Sequence, residues 1–135
     1  MIGQPPNEAQ RELLAAARDS VKAGLDVLAP GARLSEVAAR CEATLAASSY
    51  VRRRGLPDST MGGAWGHGLG LSFEPPWIHS DSEQTAEPGM CLAVERRIEA
   101  PGLGGAQYED DVLVVEGGVE LLTPAEECYF DDRPA

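Results

Sequence analysis

One change of hydrophobic period, near residue 60, limits what this chain can fold into. Before it, apolar residues recur at three- and four-residue steps; after it, short alternating runs are broken by glycine and proline. Asn7-Glu8-Ala9-Gln10 reads as a capping box. Leu13, Leu14, Ala17, Val21, Leu25 and Leu28 then make one apolar face, with Pro30-Gly31 as the stop. Ser35 is the expected cap of a second helix with the stripe Val37, Ala38, Cys41 and Leu45, ending before the polar stretch Ser48 to Arg54. Cys91 to Glu99 and Tyr108 to Val115 predict strands. Val115-Glu116-Gly117-Gly118-Val119 predicts a tight hairpin into Glu120-Leu121-Leu122. The expected class is therefore α+β: one domain over residues 1–135, two helices packed on a small antiparallel sheet, with an acidic tail at about 125–135. Two helices leave a sheet edge and some apolar surface uncovered, so such a chain is expected to associate with something.

Composition narrows the partners. Eleven Lys and Arg against 22 Asp and Glu give a net charge of -11, which would repel nucleic acid. The isolated cluster Arg52-Arg53-Arg54 reads as a solvated loop or an acidic-partner contact rather than a phosphate site. No apolar run approaches the roughly 20 residues of a membrane helix. Met1-Ile2-Gly3-Gln4-Pro5-Pro6 lacks an apolar signal core, so a cytoplasmic protein is expected. Cys41, Cys91 and Cys128 are far apart and form no C-x-x-C, which argues against a disulfide framework or a zinc knot. Cys41 and Cys91 read as small core residues.

Three segments hold residues suited to chemistry. They are Gly66-His67-Gly68-Leu69-Gly70-Leu71, running on to His79; Glu87-Pro88-Gly89-Met90 leading into Glu95; and Pro101-Gly102 leading into Glu109-Asp110-Asp111. Glycines on both sides of His67 allow another group to approach the imidazole closely. Glu95 follows an apolar run, where a bare carboxylate would be costly to bury. One histidine with two carboxylates suits a divalent ion such as Mn, Co, Fe or Zn. The bland alternatives are a turn histidine and a Glu95 paired with Arg96 or Arg97 at the surface, and spacing alone leaves both open.

Taken in order, the three segments resemble the C-terminal half of the pita-bread metallohydrolases, the superfamily of methionine aminopeptidase, Xaa-Pro dipeptidase and creatinase. The likeness runs from about Glu8 to Pro124 and is closer to the dipeptidase and creatinase branch. It includes Pro30-Gly31-Ala32-Arg33-Leu34-Ser35-Glu36-Val37 between the helices and a closing hairpin from Val112 to Thr123. The resemblance implies half a pita-bread fold, and metal ligation by His67, Glu95 and Glu109, with Glu109 as the bridging carboxylate and a catalytic group. In such enzymes two metals share a water, lower its pKa and polarise the scissile carbonyl.

Departures from the family pattern shape the expectation. The family's two aspartate ligands belong to an N-terminal half, and no Asp-x-Gly-type strand precedes Asn7. The branch's histidine before Glu-x-Pro is missing from Leu71-Ser72-Phe73-Glu74-Pro75. Phe73 stands in that neighbourhood as a candidate substrate contact. His79 is the candidate catalytic replacement, set against a plain loop histidine. Gln107 stands where the family has an arginine, and Glu95-Arg96-Arg97 replaces Glu-Pro-Gly. The added arginines are either exposed strand residues or a positive site, with Arg97 the candidate substrate contact, for an acidic substrate or a partner's carboxylates. Three expectations follow: a split hydrolase of small-molecule or peptide substrates completed by a second subunit; a homodimer with one metal per site and altered chemistry; or a non-catalytic half-domain kept for binding.

Overall fold

A computed structural model describes residues 6–55 and 63–124. Cys128 and the acidic tail at 125–135 lie outside the described residues. Helix α1 (Glu8–Leu25) starts on its capping box: the Asn7 side chain accepts from the Gln10 N–H, and the Gln10 side chain accepts from the Asn7 N–H, both at 3.0 Å. The helix ends at Leu25, before Pro30-Gly31, and a turn carries the chain onward. Helix α2 (Leu34–Ala47) begins one residue earlier than its expected cap, so Ser35 lies inside the first turn. Arg33 occupies the cap position without a side-chain bond. Instead the Leu34 N–H donates to the Gln84 carbonyl at 2.9 Å, and Arg33 forms a bridge with Thr85. A loop from elsewhere in the chain does what a cap side chain was expected to do.

Two helices were expected; the described residues contain a third, short one, α3 (Ser49–Arg54). The Ser48 hydroxyl accepts from the Val51 N–H at 3.2 Å and turns the polar stretch into a capped helix that buries Tyr50. Its basic cluster finds an acidic contact within the chain, Arg53 to Glu12 at 2.5 Å, with Glu8 at 4.0 Å.

Among the described residues the sheet has five antiparallel strands, β1 (Gly66–Leu69), β2 (Phe73–Glu74), β3 (Cys91–Ala100), β4 (Gly104–Val115) and β5 (Gly118–Leu121), in the order β2-β1-β3-β4-β5. β3 and β4 were legible as strands. β1 was not, because two of its four residues are glycine and pairing with β3 defines it. A side chain at Gly66 (φ +154°) would run into the Ala93 carbonyl, so this strand can lie against β3 only as glycine.

Alternation along β3 divides the molecule. Leu92, Val94, Ile98 and Ala100, with Val112 and Val114 of β4, join Leu13, Ala17, Val21, Val37, Cys41 and Leu45 in one buried core. The helices approach closely there, since a side chain at Gly24 would land on Cys41 Sγ. The opposite register positions, Ala93↔Asp111, Glu95↔Glu109 and Arg97↔Gln107, form a second face that no helix covers among the described residues. Some uncovered apolar surface was expected, and this face supplies little of it. It is polar, and five of the large exposed apolar side chains lie at its margins: Leu71, Phe73 and Trp77 in or beside β2, and Leu121 and Leu122 by β5. No helix is long and apolar enough to cross a membrane among the described residues.

Candidate metal centre

The uncovered face brings three side chains from three strands together. His67 comes from β1, Glu95 from β3 and Glu109 from β4, and one ligand atom from each lies within 4.8 Å of the others. Strand register explains the convergence: Glu95 pairs directly with Glu109, and His67 pairs with Ala93, one same-face step away. Neither arginine neighbour claims Glu95. Arg96 points to the core face, where its guanidinium lies 4.1 Å from the Trp65 ring centroid, and Arg97 pairs with Glu99 at 2.8 Å.

The hydrogen bonds around His67 define what the site lacks. Its Nδ1 lies 2.9 Å from the Gly68 carbonyl, which can only accept, so Nδ1 carries the proton. In the neutral ring Nε2 then presents a lone pair, and it faces a second acceptor, Glu95 Oε1, at 3.2 Å. Both side chains are buried, His67 at 2% exposure and Glu95 at 5%, and Nε2 has no hydrogen-bond partner among the described residues. Two buried acceptors aimed at each other are unfavourable without a cation or a proton between them. Beyond them Gln107 Nε2 donates to Glu95 Oε2 at 3.0 Å and Glu109 Oε2 at 3.3 Å, tying both carboxylates from one side.

Electrostatics point the same way. Partial burial, followed by the charges of Glu95 and Asp111, raises the Glu109 pKa above the ordinary carboxylate value, against the pull of His67 and Gln107. Glu109 is open to solvent along its strand, and the neighbouring carboxylates Glu95 and Asp111 still disfavour its charged form. Asp111 also lies on this face, and its Oδ1 is a further buried acceptor without a partner among the described residues. The acidic run divides by alternation. Asp110 turns to the core face, where burial raises its pKa and Lys22 of α1 opposes the rise. The donor set of one imidazole nitrogen and carboxylate oxygens fits a borderline or hard divalent ion.

A cleft of about 450 Å³ opens beside this group. Phe73 and Trp77 line it from the β2 side, and Arg97 and Gln107 from β3 and β4. The His67 ring meets Phe73 edge-on at 4.6 Å and Trp77 at 6.1 Å between centroids. Phe73 and Arg97, the two candidate substrate contacts, thus share one cleft, while Glu109 completes the ligand group without lining it. His79 does not line the cleft, and its Nδ1 is engaged by Asp81. Sequence reasoning did not pick out Trp77 or the carboxylate-tying part of Gln107. Only the strand register placed Gln107 between two acids.

Comparison with known proteins gives this geometry a context. The model of metallopeptidase family M24 matches residues 1–116. A Xaa-Pro dipeptidase of Pyrococcus furiosus is 32% identical over 122 residues, which is 90% of this chain and 33% of that protein. An agropine synthesis cyclase of Rhizobium rhizogenes is 33% identical over 125 residues, 91% of this chain and 30% of that one. Among solved structures, the prolidase from Pyrococcus furiosus superposes with a TM-score of 0.77 at 29% identity, covering 93% of this chain and 36% of the prolidase. The chain spans about a third of the length of the curated relatives it matches.

Proposed function

The chain belongs to metallopeptidase family M24, and from that premise we propose that it supplies one half of a metal-dependent hydrolase site acting on a peptide or a related amide. His67, Glu95 and Glu109 would hold a divalent ion. The observation that supports this most is the bare Nε2 of His67 facing Glu95 Oε1 in a buried setting. A bound divalent ion would supply Lewis-acid polarisation of the scissile carbonyl and a water of lowered pKa. Gly68 fixes the imidazole tautomer, so that Nε2 is always the atom presented. Gln107 holds one oxygen of each carboxylate and leaves the other free to ligate. Phe73 and Trp77 cover the imidazole and limit water on the cleft side.

Relatives about three times as long motivate the second half of the proposal: the remaining carboxylate ligands come from another polypeptide that closes over the uncovered polar face. Asp111 Oδ1, buried on that face without a partner among the described residues, favours an added ligand or donor there. A second reading, a self-contained mononuclear centre in a homodimer, draws on the closure of three donors within one chain.

Metal stoichiometry of the purified chain, measured by elemental analysis after chelation and reloading with manganese, tests both. Near one manganese per chain, lost in His67→Ala, supports a self-contained site. No manganese in the chain alone, but uptake in complex with a co-expressed partner, supports the split enzyme. No uptake in either state rejects the metal function.

A further inference from the structure

β4 is paired along nearly its whole length on one side and only in part on the other. Its register with β3 runs from Gly104 to Leu113, whereas β5 meets Val112 to Val115. Asp111 ends the second ladder: its carbonyl accepts from the Leu122 N–H at 2.8 Å, and its N–H donates to the Thr123 hydroxyl at 3.0 Å. Peptide groups along an antiparallel strand point alternately to either side, so those of Gly105, Gln107 and Glu109 point the same way as those of Asp111. Among the described residues no strand meets them, and all three residues are exposed. Such a row of backbone donors and acceptors, with no lysine or proline between Gly104 and Val115 to blunt it, is a template for another strand.

Side chains along this edge are divided by size. Gly104, Gly105 and Ala106 lie on one side of Gln107, and Tyr108, Glu109 and Asp110 on the other. Two copies of the edge, laid antiparallel about a twofold axis at Gln107, set each large side chain against a small one. Glu109 meets the partner's Gly105, Tyr108 the partner's Ala106, and Asp110 the partner's Gly104, so no acid faces an acid. In that register the outward-pointing peptide groups also meet, because Gln107 pairs with the partner's Gln107 and Glu109 with the partner's Gly105. The chain's own fold does not require glycine at position 105. Its φ lies outside the left-handed region, and an added Cβ would meet nothing closer than the Ile98 carbonyl oxygen at 3.5 Å. A glycine inside a strand that has no such local reason marks the close approach of another backbone or ligand.

From this register we propose that the open edge of β4 is the subunit contact of a homodimer, the two sheets joining through antiparallel pairing of residues 104–110 centred on Gln107. The proposal deepens the homodimer reading above by naming its contact, and it rests on backbone geometry rather than on the metal. The two candidate centres then share one continuous sheet face, with Glu109 and the partner's Glu109 four strand steps apart, about 14 Å. Gln107, which ties Glu95 and Glu109, has the partner's Gln107 directly opposite, with about 5.5 Å between Cα atoms. Association therefore buttresses the donor that orients both carboxylates. Each copy carries a net charge of -11, so long-range repulsion opposes the contact and salt strengthens it.

The test compares wild type, Gly105→Glu and Gly105→Lys by sedimentation equilibrium over a concentration series in EDTA, at low and high salt. Amide hydrogen exchange is read residue by residue at both ends of the series. Glu at position 105 would face the partner's Glu109 twice per dimer, whereas Lys would form a cross-strand ion pair with it. Wild type is expected to dimerise, more tightly at high salt, and to gain protection at the Gly105, Gln107 and Glu109 amides as it does so. The Ala106 and Tyr108 amides, which point to β3, should be protected in both states. At low salt Gly105→Glu should weaken the dimer roughly 10-fold, while Gly105→Lys keeps or tightens it. A chain that stays monomeric, a dimer that leaves those three amides unprotected, or equal effects of Glu and Lys overturns the inference. Protection of the three amides only by a co-expressed partner assigns the edge to a different polypeptide and also overturns it. Because EDTA is present throughout, failure of the metal function alone leaves these outcomes unchanged.

Discussion

Along β3, Leu92, Val94, Ile98 and Ala100 turn toward the helices, while Ala93, Glu95, Arg97 and Glu99 turn away. The two sets belong to one strand and obey different rules. The helix side is a dry core in which even a glycine, Gly24, is needed for α1 to reach Cys41 of α2. The other side collects His67, Glu95, Glu109, Gln107 and Asp111, whose lone pairs outnumber the donors they meet. One face holds the fold together, and the other holds groups that the fold alone leaves incompletely satisfied. Arg96 and Asp110 are exceptions, charged groups on the core side; Arg96 is stacked on Trp65, its Nε and Nη1 lack hydrogen-bond partners among the described residues, and burial lowers its pKa.

If the faces differ in this way, substitutions on them should act on different observables. The largest expected effect is on the core side. Leu92→Ala removes a fully buried side chain and should cost about 2–5 kcal/mol in urea unfolding. A loss under about 1 kcal/mol would show that this face is not the stabilising one.

Alkaline pH sharpens the same contrast through Cys41. Burial pushes its thiol up from 9.0 to about 12 in the folded chain. Between those values the unfolded thiol has given up its proton while the folded one keeps it, so the contribution is intact below pH 9 and is lost as pH rises toward 12. Unfolding free energy should fall with pH in this window by about 1.4 kcal/mol per unit more in wild type than in Cys41→Ala. Equal slopes would mean that the thiol is not shielded.

The smallest stability effect belongs to the open face. Gln107→Ala should change unfolding free energy by no more than about 0.5 kcal/mol, since the side chain is exposed. It should nevertheless weaken manganese binding roughly 10-fold to 100-fold, because Glu95 and Glu109 lose the donor that orients them. A large stability loss with unchanged metal affinity would reverse the assignment of the two faces.

Much of this was legible beforehand. The capping box at Asn7, the stripe through Leu13, Ala17 and Val21, and strands β3 and β4 each rest on local signals that tertiary packing did not override. Helix α3 was missed because its polar sequence hides the Ser48 cap. The helix-starting role expected of Ser35 passed to the Gln84 carbonyl, which no local pattern announces. Strands β1 and β2 were missed as well, since glycine-rich and two-residue strands exist only through their neighbours.

By itself, the sequence determined the α+β class, the family likeness and which residue types could carry chemistry, because hydrophobic period, turn chemistry and motif order are properties of the chain alone. Tertiary structure decided which of those residues meet. Register put Glu95 opposite Glu109 and brought Gln107 to both. Alternation sent Asp110 and Arg96 to the core while their neighbours stayed on the open face. The Gly68 carbonyl fixed the nitrogen that His67 presents. These are relations between strands distant in sequence, and their alignment is set by packing against the shared core rather than by any local preference.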